Sequence, residues 1–200
     1  MKCLICQREL GFGGITDILF GDDPLCISCR RQWRKKRVSF QFEGHRLRSS
    51  YLYNKAFSQC LIQYKELGDE ALKDVFLYEE KKWFAWKYRG FAALMMPSAA
   101  AKEELRGFSH LKRMFECTGI EILEPFVKTG TDEQKGKGKA ERREMETGIL
   151  LKPDAVLPEK IVLCDDTVTT GSTFRGALRA LENYRGKTEI YTVSVNSRWL

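Results

Sequence analysis

The sequence predicts an α/β fold, a mostly parallel sheet with a small four-cysteine module at its N-terminus. Three observations carry this expectation. From residue 91 onward, strand and helix patterns alternate, with short apolar runs separated by amphipathic segments. Before them, Val38, Phe40 and Phe42, a break at Gly44, then Leu47, Tyr51 and Tyr53 read as a hairpin entering the sheet. Residues 1–37 hold four of the seven cysteines and several glycines (Gly11, Gly13, Gly14, Gly21) but little apolar periodicity, so they cannot build a core of their own. The expected division is therefore a cysteine module over 1–37 and an α/β domain over 38–200.

Taken in order, a helix is expected over 56–65, a break at Gly68 and Asp69, and a second helix whose apolar stripe is Ala71, Leu72, Val75 and Phe76. Strands are expected over 91–96, 121–127, 161–164 and 189–195, with helices beginning near Lys102 and Ser172. The polar segment 128–146, KTGTDEQKGKGKAERREME, has no apolar face and is expected to be a functional or disordered loop.

The chain has 200 residues, 43% hydrophobic and 30% charged, with 34 Lys and Arg against 27 Asp and Glu for a net charge of +7. This excludes a disordered or fibrous chain and favours a polyanionic partner. The start, MKCLICQREL, lacks an apolar core of signal-peptide length. No apolar stretch reaches the ~18 residues a membrane span requires. A cytoplasmic protein without a transmembrane segment is expected.

Cys3, Cys6, Cys26 and Cys29 form C-x2-C-x19-C-x2-C. In a reducing compartment this spacing predicts a closed, structural Zn2+ site rather than two disulfides, because each close pair supplies one edge of a tetrahedron of thiolates. Cys60, Cys117 and Cys164 fall in apolar surroundings and read as small core residues. Directly after the second pair come Arg30, Arg31, Trp33, Arg34, Lys35, Lys36 and Arg37. The run either offsets the negative charge of a four-thiolate zinc site or forms a patch for nucleic-acid phosphates with Trp33 stacking on a base. Lys135, Lys137 and Lys139 are further candidates for such a role.

The most informative stretch is 161–173, IVLCDDTVTTGST: a buried-strand pattern, two carboxylates, then a hydroxyl-rich turn opening a helix. Gly171 allows close approach of backbone to an anion, and free amides at the helix start, with Thr169, Thr170, Ser172 and Thr173, can surround a phosphate. Asp165 and Asp166 would repel that phosphate if they faced it, so ribose hydroxyls with bound Mg2+ are the expected target. The helix that follows is amphipathic through Phe174, Ala177, Leu178 and Leu181.

This stretch resembles the 5-phosphoribosyl-1-pyrophosphate (PRPP) signature of type I phosphoribosyltransferases. The resemblance implies that Asp165 and Asp166 contact ribose hydroxyls, and that Thr169, Thr170, Gly171, Ser172 and Thr173 hold the 5-phosphate. It also places a pyrophosphate loop at Met96, Pro97 and Ser98, with Arg106 nearby, and a mobile catalytic loop at 128–146. Joined to the four-cysteine motif, to Tyr64-Lys65-Glu66-Leu67-Gly68-Asp69 and to Arg106-Gly107-Phe108, the signature is similar to the ComF (ComFC) competence family over essentially the whole chain. Met96, Ala99 to Ala101 and Ser109-His110 depart from that family's pattern and leave Arg106 and His110 open between a ligand role and plain helix surface. What the resemblance implies is a zinc-containing, PRPP-binding protein serving DNA uptake and natural transformation, with single-stranded DNA and other DNA-uptake or recombination proteins as partners. The alternatives are an active phosphoribosyltransferase on a base or amine acceptor, or a PRPP-sensing nucleic-acid regulator. A transferase-type fold does not by itself decide whether catalysis occurs.

Overall fold

A computed structural model describes residues 1–10, 23–129 and 148–199. After a short helix, α1 (Ile27–Gln32), the chain forms a hairpin from β1 (Arg34–Phe42) and β2 (His45–Leu52). Its two-residue turn puts Glu43 and Gly44 both at positive φ, the geometry whose twist matches antiparallel strands. Helix α2 (Lys55–Lys65) follows, capped by the Asn54 side chain, which accepts from the Phe57 N–H at 2.9 Å. Its buried residues Phe57, Cys60, Leu61 and Tyr64 recur at helical spacing and form its core face.

Among the described residues the further α-helices and strands are α3 (Lys81–Lys87), β3 (Ala92–Met95), α4 (Ala100–Arg106), α5 (His110–Phe115), β4 (Ile122–Leu123), β5 (Phe126–Lys128), β6 (Ile149–Leu151), β7 (Lys160–Val168), α6 (Ser172–Ala180) and β8 (Lys187–Val195). Six strands make the main sheet in the order β1-β2-β8-β7-β3-β4. Every neighbouring pair is parallel except the β1–β2 hairpin at the edge. The mixed α/β, mostly parallel architecture read from the sequence is thus present. All four residues of β3 and residues 161–164 of β7 are buried, as strands covered on both faces must be.

Three elements differ from expectation. The stripe at 71–76 is not an α-helix but a 3-10 turn (Glu70–Leu72) continued by turns. Leu72, Val75, Phe76 and Leu77 are all fully buried, and three consecutive buried side chains cannot share one helical face. The strand expected over 121–127 breaks at Pro125, which has no N–H for the ladder. Its first part, β4, stays in the main sheet, while β5 pairs antiparallel with β6 in a separate ribbon. Strand β7 runs on to Val168, so the two carboxylates sit within the strand and not in the turn after it.

Trp33 does not lie on the surface to stack on a base, as one sequence expectation had it. It is 3% exposed and packs against Tyr51, Phe57 and Phe76, with ring centroids 4.9 to 5.5 Å away. Burying an indole among three rings gains more than exposing it beside cations. Because Trp33 ties the cysteine segment to the sheet and α2, Trp33→Ala is expected to lower stability by about 3–5 kcal/mol. Chemical denaturation of the purified variant checks this, and a midpoint matching the parent would deny Trp33 that role.

Candidate functional site

The four cysteines named from their spacing come together. Their sulfurs lie within 4.8 Å of one another, with Cys6 Sγ and Cys26 Sγ 3.7 Å apart. That separation is far too long for a disulfide at about 2.05 Å. It fits two thiolates on one tetrahedral ion, for which Zn–S bonds of about 2.3 Å place the sulfurs about 3.8 Å apart. Cys3 donates its N–H to the Arg8 carbonyl and its own carbonyl accepts from Gln7, closing the first tight turn. Burial pushes the Cys3 thiol up, but the backbone amides of Cys6, Cys26 and Ile5 outweigh it and bring it down to about 6. Burial and its three sulfur neighbours push Cys29 up. Four crowded thiols cannot all ionise without a cation, so the donor set is compatible with a structural zinc ion. Cys60 and Cys164 are buried as expected and Cys117 is half-buried.

The basic run divides. Arg30 is buried and donates to both Asp23 carboxylate oxygens, at 3.0 and 2.6 Å, and to the Val75 carbonyl at 2.8 Å. Lys35 and Arg37 pair with Glu80, each at 3.0 Å, and Glu80 is fully buried. Arg31, Arg34 and Lys36 remain exposed, with no acidic partner among the described residues. Lys135, Lys137 and Lys139 lie outside the described residues, as does most of the expected loop 128–146; Lys128 ends β5.

At the carboxyl end of β7, three segments distant in sequence converge on one carboxylate. Asp166 is 5% exposed, and its Oδ2 accepts from Lys65 Nζ at 2.7 Å and from His110 Nε2 at 3.0 Å. An ionised carboxylate only accepts and a guanidinium only donates. With Asp166 on Nε2 and Arg106 Nη1 3.1 Å from Nδ1, His110 is therefore the neutral Nε2–H tautomer. Ser98 Oγ lies 3.3 Å from the same Nδ1. Arg106 Nε also donates to the Lys65 carbonyl, and the Tyr64 hydroxyl donates to the His110 carbonyl at 2.6 Å. The segments 64–69 and 106–110 thus touch each other as well as the acidic pair.

The electrostatics follow from this packing. Burial works to raise the Asp166 carboxyl, but the His110 hydrogen bond and the Lys65 charge outweigh it and hold it well below the usual carboxylate range. Burial and the neighbouring Asp166 charge push Asp165 up to about 7. Its Oδ1 accepts from the Asp166 N–H, at 2.9 Å, and from no side chain among the described residues. Burial lowers His110, and the charges of Lys65 and Arg106 act the same way against the opposing pull of Asp166. His110 is 2% exposed, so it is not plain helix surface.

Beyond Val168 the chain turns through Thr169 and Thr170 to Gly171, whose φ of +78° starts α6. A side chain there would be strained, and its Cβ would lie 2.6 Å from the Phe42 ring. Trp199 Nε1 donates to the Thr169 carbonyl at 2.9 Å, and Arg175 Nη1 to the Thr170 carbonyl at 3.1 Å, holding the turn from behind. Thr169, Thr170 and Ser172 are exposed and Thr173 half-buried. The glycine at the helix start offers no capping side chain, and Thr170 Oγ1 reaches the Ser172 N–H only at 3.4 Å. This is a set of donors suited to an anion. The loop at Met96, Pro97 and Ser98 lies alongside, because Met95 pairs with Cys164. Those three residues help line a cavity of about 260 Å³ with Glu124, Lys128 and Lys152.

Sequence reasoning named the loop but missed Lys65 and His110 as partners of Asp166. The available signal was the position of Lys65 immediately after Tyr64 on the buried face of α2.

Fold and site together define an α/β protein with a donor-rich turn after an acidic strand and an N-terminal four-cysteine cluster. No protein-family model matches the chain. Two curated relatives match nearly all of it. Competence protein ComFC of Streptococcus pneumoniae is 27% identical over 223 aligned residues, covering 98% of this chain and 99% of that protein. Competence protein ComFC of Bacillus subtilis is 25% identical over 210, covering 90% and 88%. These matches support membership of the ComF/ComFC competence family. A solved hypoxanthine phosphoribosyltransferase from Staphylococcus aureus aligns with a TM-score of 0.38 and 11% identity, over 71% of this chain and 66% of that one, a likeness too slight to carry an argument. No helix among the described residues is long and apolar enough to cross a membrane.

Lys65→Met leaves Asp166 with His110 as its one side-chain partner among the described residues and is expected to cost about 1–3 kcal/mol at pH 7. Because the folded Asp166 carboxyl is held low, its contribution is complete above about pH 4 and disappears as the pH falls through the lowered folded value. Melting curves across pH should therefore show the gap between variant and parent closing on the acid side. A gap independent of pH would mean that Lys65 acts through packing alone.

Proposed function

We propose that this chain is a competence-related protein that binds PRPP with Mg2+ at the turn between β7 and α6 and handles single-stranded DNA during DNA uptake. The observation that carries the PRPP reading is the pairing of open α6 amides and hydroxyls with two carboxylates in different states. Asp166 is tied to Lys65 and His110, whereas Asp165 has no side-chain partner among the described residues and is free to meet a ribose hydroxyl. Thr169, Thr170, Gly171, Ser172 and Thr173 would hold the 5-phosphate. Mg2+ supplies charge neutralisation for a diphosphate when bound. Pro97 and Ser98 are the proposed pyrophosphate loop, with Arg106 bracing it through His110. Zinc on Cys3, Cys6, Cys26 and Cys29 would be a closed, structural site. The names of the relatives support the competence assignment, and the exposed Arg31, Arg34 and Lys36 support a role in holding nucleic-acid phosphates.

A second reading, a phosphoribosyltransferase acting on an amine or base, is favoured by the cavity beside Ser98, which leaves room for an acceptor. Released pyrophosphate in the presence of an acceptor panel distinguishes it from binding alone.

PRPP with Mg2+ at about 100 times its dissociation constant is expected to add roughly 2.7 kcal/mol of stability. Thr170→Val and Asp165→Asn should each erase most of the resulting rise in melting temperature while leaving the unliganded melt close to the parent's. If both variants respond to PRPP as the parent does, the turn is not the phosphate site.

A further inference from the structure

With Trp33 in the core, the aromatic platform for a single strand must be sought elsewhere, and α3 carries one. Its sequence, KKWFAWK, turns Phe84 into the core together with Tyr88 just past its end, both fully buried. The opposite face holds Lys82 and, one turn on, Trp86, with Arg89 just beyond the helix. Trp86 is 74% exposed. Lys82 and Arg89 are exposed as well, with no acidic partner among the described residues. An indole left in water forgoes the burial that the core could have given it, so its retention between unpaired cations points to a ligand with both flat faces and negative charge.

The surface continues onto the edge strand β1. Arg37 pairs with the buried Glu80 and lies over the Trp83 ring at 5.2 Å, one helical turn before Trp86. Glu80 is thereby paired and turned inward, and the part-exposed Glu79 beside it pairs with Lys35 at 3.4 Å, so both acids of this junction are engaged by cations of β1.

We propose that the outer face of α3, with Trp86 as a stacking platform and Lys82 and Arg89 as phosphate-binding cations, binds single-stranded nucleic acid. The proposal rests on the single-strand part of the function given above and assigns it a surface. Every base presents a π-face to an indole, so binding is expected to be tolerant of sequence. A duplex hides its base faces and can offer only phosphates.

The test is binding of a thirty-residue oligo-dT to the full chain over a range of salt concentrations. Trp86→Ala should weaken binding on the order of tenfold to a hundredfold with the salt slope unchanged. The double change Lys82→Ala and Arg89→Ala should instead flatten the slope of log affinity against log salt by about 1.4 units, about 0.7 for each phosphate no longer neutralised. All three side chains are exposed, so matching melting temperatures establish that the variants fold. If the parent binds the oligonucleotide and Trp86→Ala binds it within about twofold, this surface is wrong while the single-strand reading stands. If the parent itself fails to bind, both fall together.

Discussion

The candidate site depends on a single buried carboxylate and its two donors. Asp166 stands at the carboxyl end of a central parallel strand, where open α/β sheets bind ligands. Left unpaired there, its charge would be costly to bury. Lys65 from the end of α2 and His110 from the start of α5 meet that cost, and in doing so bring two otherwise separate segments to the sheet edge. His110 then holds Arg106 and Ser98 through its other nitrogen. The end of β7 and the loop after β3 are thus parts of one hydrogen-bonded unit, and Asp165, one residue earlier, stays unengaged by any described side chain.

A similar division of labour joins the cysteine module to the sheet. The module has too few apolar residues for its own core, so its attachment comes from Trp33 among three rings and from Arg30, which binds Asp23 beside the cysteines and the Val75 carbonyl in the core. Cation and indole also meet each other, with the guanidinium 5.1 Å from the Trp33 ring. Much of the basic run that follows the cysteines is therefore structural adhesive between elements, and the proposed nucleic-acid contacts fall to Arg31, Arg34 and Lys36 and to neighbouring surfaces.

The parts legible in the sequence were those written locally. Cysteine spacing located a cluster because each close pair brings its two sulfurs to one edge of a tetrahedron, and the β7 signature located a donor-rich turn because a glycine at the helix start leaves the first amides of α6 without a side-chain cap. Pro125 marked a strand break that the apolar pattern of 121–127 concealed. The destiny of Trp33 was not legible, since a cationic run reads as surface and its ring partners arrive from β2, α2 and the turns near Phe76. The same holds for His110: nothing beside it in sequence announces a carboxylate on β7. Burial of three consecutive residues, Val75 to Leu77, defeated periodicity because the chain there is wrapped on all sides.

The central claim is that Asp166 is an ionised acceptor held by Lys65 and by a neutral His110. Nitrogen NMR of the imidazoles tests it directly, and with only two histidines in the chain the His45→Gln variant leaves one signal to follow. A neutral Nε2–H imidazole whose protonation is shifted below the ordinary histidine value of about 6.5 is expected. A His110 that titrates at or above that value, or that carries its proton on Nδ1, would contradict it.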